Sequence, residues 1–104
     1  MKTYLAEAGY DQGGRVMVDD GVKRRPLTHH VYHSPTGYAW GYNGSGPAEL
    51  AKDILWNLLG EKPISPLYQD FKAQFIASFA GNAGWSLSET EIRAWLAARD
   101  ASTG

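Results

Sequence analysis

The sequence predicts an α+β fold, with an N-terminal antiparallel sheet of three to five short strands and about three C-terminal helices packed on one of its faces. Two observations support this prediction. Residues 1–42 alternate polar and apolar side chains between glycine- and proline-containing turns, which is typical of half-buried strands. After residue 43 the apolar spacing becomes that of amphipathic helices. Strands followed by helices favour a sheet that is covered on one face.

The composition indicates one domain. The 104 residues are 43% hydrophobic and 12% aromatic, which is enough to bury a core without disulfides or structural metals. The formal net charge of −1 argues against a dedicated nucleic-acid binder. The chain has no cysteine, so thiolate chemistry and cysteine zinc sites are excluded. Neither a signal segment nor an apolar run of about 20 residues is present, and we therefore expect a cytoplasmic protein that does not enter a membrane.

The predicted strands are separated by recognisable turns. Asp20 and Gly21 have the character of a hairpin turn, and Pro26 ends the returning strand or confines it to a sheet edge. Five segments have the alternation of strands: residues 3–8, 15–19, 22–25, 27–33 and 38–42.

The first two predicted helices have proline near their starts. The first is expected to begin at Pro47, with Ser45 or Gly46 as its cap, and to end at Gly60. The second is expected over residues 65–79, beginning with a serine–proline pair and carrying an aromatic stripe.

The third helix has the clearest predicted start. Ser88 and Glu91 have the spacing of a capping box, and Leu87 and Ile92 have that of a hydrophobic staple. The single domain therefore divides into a strand-rich half, a helical half and a frayed tail, which are residues 1–42, 43–99 and 100–104.

The turn between the two halves is the leading candidate binding site. Its glycines let a ligand approach the backbone, and the following helix start favours phosphates and carboxylates. Trp40 and Tyr42 would supply a stacking wall for a base or sugar ring. The alternative is an ordinary strand-to-helix turn, because the pattern lacks the lysine of a P-loop and the dinucleotide fingerprint. The candidate residues are Trp40, Tyr42, Asn43, Gly44, Ser45 and Gly46.

A second candidate is a basic contact patch that would meet phosphates or an acidic protein surface. The alternative is a solvated edge strand protected by its charges. His29 and His33 would share a strand face about 13 Å apart, which is too far for one ion, so no metal is expected. The patch consists of Lys23, Arg24, Arg25, His29, His30 and His33.

Trp56 is a candidate interface anchor. On a helical projection it falls with Glu49, Lys52 and Asp53, away from the leucine and isoleucine stripe. The alternative is that its ring folds over the edge of the core. No catalytic motif is recognisable, so neither an enzyme nor a cofactor is expected.

Several segments resemble a known family. These are Trp-Gly-Tyr-Asn-Gly-Ser-Gly-Pro at residues 40–47, Tyr-Gln-Asp-Phe-Lys at residues 68–72, Trp-Ser-Leu at residues 85–87, and Ile92, Trp95 and Leu96. Together they resemble a domain-of-unknown-function family of small proteins found in bacterial and bacteriophage genomes. The resemblance implies a phage or mobile-element accessory protein that antagonises or modulates a bacterial defence system. The histidine-rich segment and Trp56 are not part of the family pattern.

The leading functional hypothesis is a small non-catalytic binding protein. Its partner would be a bacterial host protein or an anionic, nucleotide-like small molecule held at the glycine-rich turn. One alternative is a weak nucleic-acid-binding accessory protein that uses the basic patch. The other is an enzyme that uses the glycine-rich turn as an anion hole. The sequence leaves the oligomeric state open.

Overall fold

The computed structural model of the protein describes residues 1–6, 16–27, 40–41, 44–79 and 84–103. It confirms the α+β architecture, with a four-stranded antiparallel sheet and three α-helices within those residues. The elements in chain order are β1 (Thr3–Ala6), β2 (Val16–Asp19), β3 (Arg24–Pro26), α1 (Ser45–Leu59), α2 (Ser65–Gln74), a 3-10 turn (Ile76–Ser78), β4 (Trp85–Ser88) and α3 (Glu89–Thr103).

The sheet has the strand order β3-β2-β1-β4. Its register places Arg25, Val18, Tyr4 and Leu87 side by side in one row across the four strands. Tyr4, Val18 and Leu87 are buried in the same core cluster as the apolar residues of α1. Because side chains directly opposite one another share a face, this row defines the inner face of the sheet.

β4 is the element that the sequence did not predict. All strands were expected within residues 1–42, yet Trp85–Ser88 pairs antiparallel with β1 and places Leu87 opposite Tyr4. The predicted helix start is nevertheless confirmed, because the Ser88 hydroxyl oxygen accepts a hydrogen bond from the Glu91 backbone N–H at 3.1 Å. The strand therefore runs into α3 without a linker, and its residues were interpreted as the helix entry alone.

The helix boundaries also differ from those expected. α1 begins at Ser45 with Gly44 as its N-cap, two residues before Pro47. α2 ends at Gln74, and the chain then tightens into the 3-10 turn. α3 continues to Thr103, so most of the segment predicted as a frayed tail is helical.

Two predicted strands fall largely outside the described part of the chain. Of residues 27–33 the structure describes only Leu27, which is buried and donates its N–H to the Val16 carbonyl at 2.9 Å. Of residues 38–42 it describes Trp40 and Gly41. Leu27 therefore extends the pairing with β2 one residue beyond β3.

Gly60 ends α1 as predicted. Its φ of 79° is left-handed, and its N–H caps the helix by donating to the Trp56 carbonyl at 2.9 Å. A Cβ atom at this position would meet nothing within 4 Å, so the glycine is required by backbone conformation and not by space.

We expect Gly60→Ala to lower the free energy of unfolding by about 1–2 kcal/mol, because an L-residue is strained in the left-handed region. Urea denaturation measures this loss. Gly60→Asn is the matched control and should cost less, since asparagine tolerates that conformation better. An alanine variant as stable as the wild type would contradict the assignment of Gly60 as the helix cap.

Glu89 joins the first strand to the start of α3. One carboxylate oxygen accepts the Lys2 backbone N–H at 2.9 Å, and the other accepts the Arg93 Nε–H at 2.7 Å. In return, the Glu89 N–H donates to the Lys2 carbonyl at 2.8 Å. The hydrogen bonds from Lys2 and then Arg93 lower the pKa of Glu89 below its ordinary value of 4.5.

Because the pKa of Glu89 is lowered in the folded protein, its contribution to the free energy of unfolding depends on pH. A group whose pKa is lower in the folded state stabilises the fold above its unfolded pKa, and the contribution is lost as the pH falls through the folded value. Glu89→Gln should therefore be less stable than the wild type at pH 7, and the difference should shrink as the pH falls below 4.5. Melting temperatures measured across this pH range, with Glu91→Gln as the control of equal charge change, test it. Parallel pH curves for the wild type and Glu89→Gln would contradict the assigned contacts.

Candidate functional site

Trp40, the first residue of the predicted glycine-rich site, is a core residue. Only 5% of its surface is exposed, and its ring meets Trp85 edge-on with the centroids 5.8 Å apart. Trp85 in turn stacks on Phe79 at 4.5 Å with an interplanar angle of 15°. Trp40 was predicted to present an open stacking face to a ligand. The structure corrects this expectation, because that ring helps to fasten β4 and the 3-10 turn to the core.

The backbone around Trp40 is anchored as well. Gly41 has a left-handed φ of 86°, and its N–H donates to the Ile76 carbonyl at 3.1 Å. Gly44 then caps α1 through its own carbonyl, which accepts the Ala48 N–H at 3.1 Å. Ser45 and Gly46 form the first turn of the helix, whereas Tyr42 and Asn43 lie outside the described residues. A helix therefore begins at this turn, as predicted, whereas of the two predicted stacking residues only Trp40 is described.

The side of α1 that carries Trp56 is not a fully solvent-exposed face. Glu49 is 5% exposed and Asp53 is fully buried, and each takes part in a polar or electrostatic interaction. Trp56 is half-buried, and Lys52 lies over the Tyr68 ring at 5.9 Å. α1 is therefore covered on more than its leucine and isoleucine stripe. The role of Trp56 as an interface anchor stays a prediction, because its side chain is neither fully exposed nor fully buried.

The basic patch lies partly on the edge strand β3. Lys23, Arg24 and Arg25 are all exposed, whereas His29, His30 and His33 lie outside the described residues. The turn before β3 is fixed by Asp20, whose carboxylate accepts the Lys23 N–H at 2.8 Å and the Val22 N–H at 2.9 Å. These hydrogen bonds lower the pKa of Asp20, so its carboxylate stays ionised at neutral pH.

The two arginines of β3 lie on opposite faces of the sheet. Arg24 is opposite Asp19 on the outer face, and their side chains form an ion pair at 3.4 Å. Arg25 is opposite Val18 and therefore lies on the inner face, at the edge of the buried row. Successive side chains of a strand point to opposite faces, so Arg24 faces Asp19 whereas Arg25 lies beside the buried row.

Arg25 lines a recess at the edge of the inner face, between the sheet and the C-terminal half of α1. The volume of this recess is about 200 Å³. Its lining residues are Lys2, Val18, Asp20, Arg25, Pro26 and Asn57.

A short hydrogen-bond network orders one wall of the recess. The Lys2 ammonium donates to the Asn57 backbone carbonyl and to its side-chain oxygen, both at 3.1 Å. The Tyr4 hydroxyl donates to the same side-chain oxygen at 2.7 Å. Burial, followed by the nearby Glu89 carboxylate, raises the pKa of Tyr4, so its hydroxyl remains protonated and can donate. Neither Lys2 nor Asn57 was predicted as a site residue, although Lys2, two residues before Tyr4, lies on the same face of the strand.

A second, more open cavity of about 450 Å³ lies between α2 and α3. Its two charged side chains are paired, because Arg99 forms an ion pair with Asp70 and lies over the Trp95 ring at 5.8 Å. These contacts join the two helices, and we therefore assign the cavity a packing role.

The described part of the chain has neither a cluster of metal-ligating side chains nor a helix suited to cross a membrane. No three of its aspartate and glutamate side chains are grouped so as to hold a metal ion. None of its helices combines the length and apolar character that crossing a membrane requires.

Comparison with known proteins gives one match. Neither a curated protein nor a solved structure matches the chain. A family model described as "Family of unknown function (DUF6166)" matches residues 7–98. That match covers β2 to β4 and most of α3, and so most of the fold described above. The chain therefore belongs to DUF6166, a family of unknown function.

Proposed function

We propose that the protein is a non-catalytic binding protein that takes an anionic, nucleotide-like ligand at the basic edge of its sheet. One observation carries the proposal: Lys23, Arg24 and Arg25 are exposed together on and beside the edge strand, and Arg25 opens into the recess. This surface lies near the C-terminal end of α1, whereas the sequence favoured the glycine-rich turn at its N-terminal end, where Trp40 is buried. The start of α1 remains the competing surface.

Electrostatics support a local interaction. The formal net charge of −1 provides little long-range attraction for an anion. Within the Debye length of about 8 Å at physiological salt, however, a ligand at β3 experiences three cations and the carboxylates of Asp19 and Asp20, which leave a positive local charge. Binding at this edge should consequently weaken as salt is added.

Thermal unfolding with a panel of nucleoside mono- and diphosphates tests this proposal, with the uncharged nucleosides as controls. A ligand specific for the folded state at one hundred times its dissociation constant adds about 2.7 kcal/mol of stability, or on the order of 10 °C in melting temperature. The variant that combines Lys23→Gln, Arg24→Gln and Arg25→Gln should lose the shift. If no anionic ligand raises the melting temperature, the small-molecule proposal fails. The remaining alternative would then be an acidic protein surface.

We further propose that the protein comes from a phage or mobile element and acts in the bacterial cytosol on a host defence system. The support is the family resemblance of the Trp-Gly-Tyr-Asn-Gly-Ser-Gly-Pro segment and its neighbours. The test is expression in bacteria that carry a nucleotide-signalling defence, followed by phage challenge. The wild type should restore infection and the triple variant should not. If bacteria that express the wild type, bacteria that express the triple variant and empty-vector bacteria are equally protected from infection, this role is contradicted.

The same three cations favour one alternative, a weak nucleic-acid-binding protein. Three phosphate contacts on a single strand predict that log K falls with log salt with a slope of roughly −2. Absence of binding to single-stranded or duplex oligonucleotides at low salt would remove this alternative.

A further inference from the structure

We infer that the recess between Lys2, Arg25 and Asn57 is a subsite for one phosphoryl group of the ligand. This inference rests on the proposed function and names the position at which the anion is held. It also assigns a binding role to Lys2 and Asn57, two residues outside the basic patch.

The sheet register brings the two cations to the same face. Lys2 precedes Tyr4 by two residues, and Arg25 lies in the row that contains Val18 and Tyr4. Both side chains therefore flank the same part of the inner face, and Asn57 of α1 completes the recess between them. Two cations far apart in sequence thus meet at one concave surface.

Some hydrogen-bond donors of the recess already bond to protein groups, and others remain for a ligand. An ammonium group has three N–H donors, and Asn57 accepts two of those of Lys2, which leaves one for a ligand. Asn57 is itself held by the Tyr4 hydroxyl, so the ammonium is positioned before any ligand arrives. Among the described residues the Arg25 guanidinium makes no side-chain hydrogen bond, although its charge acts on the nearby Asp20 carboxylate. It offers a planar set of donors suited to phosphate oxygens.

Charge and size restrict the ligand group. Lys2 and Arg25 contribute two positive charges and Asp20 one negative charge, which leaves the lining at +1. The volume of about 200 Å³ is below the roughly 300–1,000 Å³ of pockets that enclose a whole drug-sized ligand. One anionic group fits in the recess, and the rest of the ligand then lies outside it along the exposed β3 edge.

Lys62 provides a control for Arg25. Lys62→Gln and Arg25→Gln each remove one positive charge from an exposed position, but Lys62 lies outside the basic patch and does not line the recess. We therefore expect Arg25→Gln to weaken the binding of inorganic phosphate at least about tenfold, because it removes charge-assisted hydrogen bonds. Lys62→Gln should change the dissociation constant no more than about twofold, as expected for an exposed charge away from the recess.

Amide NMR titrations at low ionic strength measure these dissociation constants, and the dispersion of each spectrum confirms folding. Methyl phosphate, dimethyl phosphate and acetate are titrated in parallel with inorganic phosphate. Tighter binding of one or both phosphate esters than of acetate, with movement of the Asn57 side-chain amide, supports the subsite. Equal losses in Lys62→Gln and Arg25→Gln, equal affinity for acetate, or no phosphate binding by the wild type would overturn it. If nucleotides still stabilise the wild type in those cases, the proposed function survives without the recess.

Discussion

Phe71→Ala is expected to lower the free energy of unfolding by about 3–5 kcal/mol, because it removes a fully buried ring and leaves a cavity. Phe71 is one of the side chains through which α2 meets α3. Its centroid lies 5.1 Å from that of Phe75 and 5.6 Å from that of Trp95, with tilted and edge-on geometry. For a domain whose total stability is about 5–15 kcal/mol, this loss is a large fraction.

Urea denaturation followed by tryptophan fluorescence and by circular dichroism measures the effect of Phe71→Ala. Ile64→Ala, at the residue before α2, is the control, because Ile64 is 68% exposed. Its cost should stay within about 0.5 kcal/mol. Similar losses in the two variants would contradict the assignment of Phe71 to the core.

Tyr4→Ala should have a comparable effect for two separable reasons. The Tyr4 ring is fully buried at the centre of the inner face, and its hydroxyl holds the Asn57 side chain. Truncation to alanine is expected to cost about 3–5 kcal/mol. Tyr4→Phe keeps the ring and should cost only about 1 kcal/mol, since Asn57 still accepts a hydrogen bond from Lys2.

Comparing the two Tyr4 variants by equilibrium denaturation separates ring burial from the hydrogen bond. A phenylalanine variant as unstable as the alanine variant would mean that the hydroxyl contributes most of the stabilisation. That result would contradict the picture of a core ring with one polar contact at its end.

The sequence could predict the elements that local signals define. Alternation identified β1 and β2, and the glycine at position 60 marked the end of α1. The capping spacing of Ser88 and Glu91 placed the start of α3. β4 was not predicted because its residues fit two patterns. Leu87 is suited both to a hydrophobic staple before α3 and to a buried position in a strand. Only the pairing of β4 with β1, at the start of the chain, distinguishes the two patterns.

The candidate site was harder to predict because burial depends on tertiary packing. Aromatic side chains at alternate positions indicated that one face is aromatic, but not that Trp40 would turn towards the core. Helical projection grouped Glu49 and Asp53 away from the apolar stripe, yet both are buried on a second covered side of α1. Lys2 and Asn57 lie 55 residues apart and meet only in the folded chain.

We propose that the basic edge of the sheet, and not the start of α1, receives the anionic ligand. The most direct test is an amide NMR spectrum of the wild type recorded with increasing ADP, which maps the perturbed residues. We expect concentration-dependent shifts at residues 23–25, Lys2 and Asn57, with little change at residues 44–46. Shifts confined to residues 44–46, or no shifts at any ADP concentration, would contradict it.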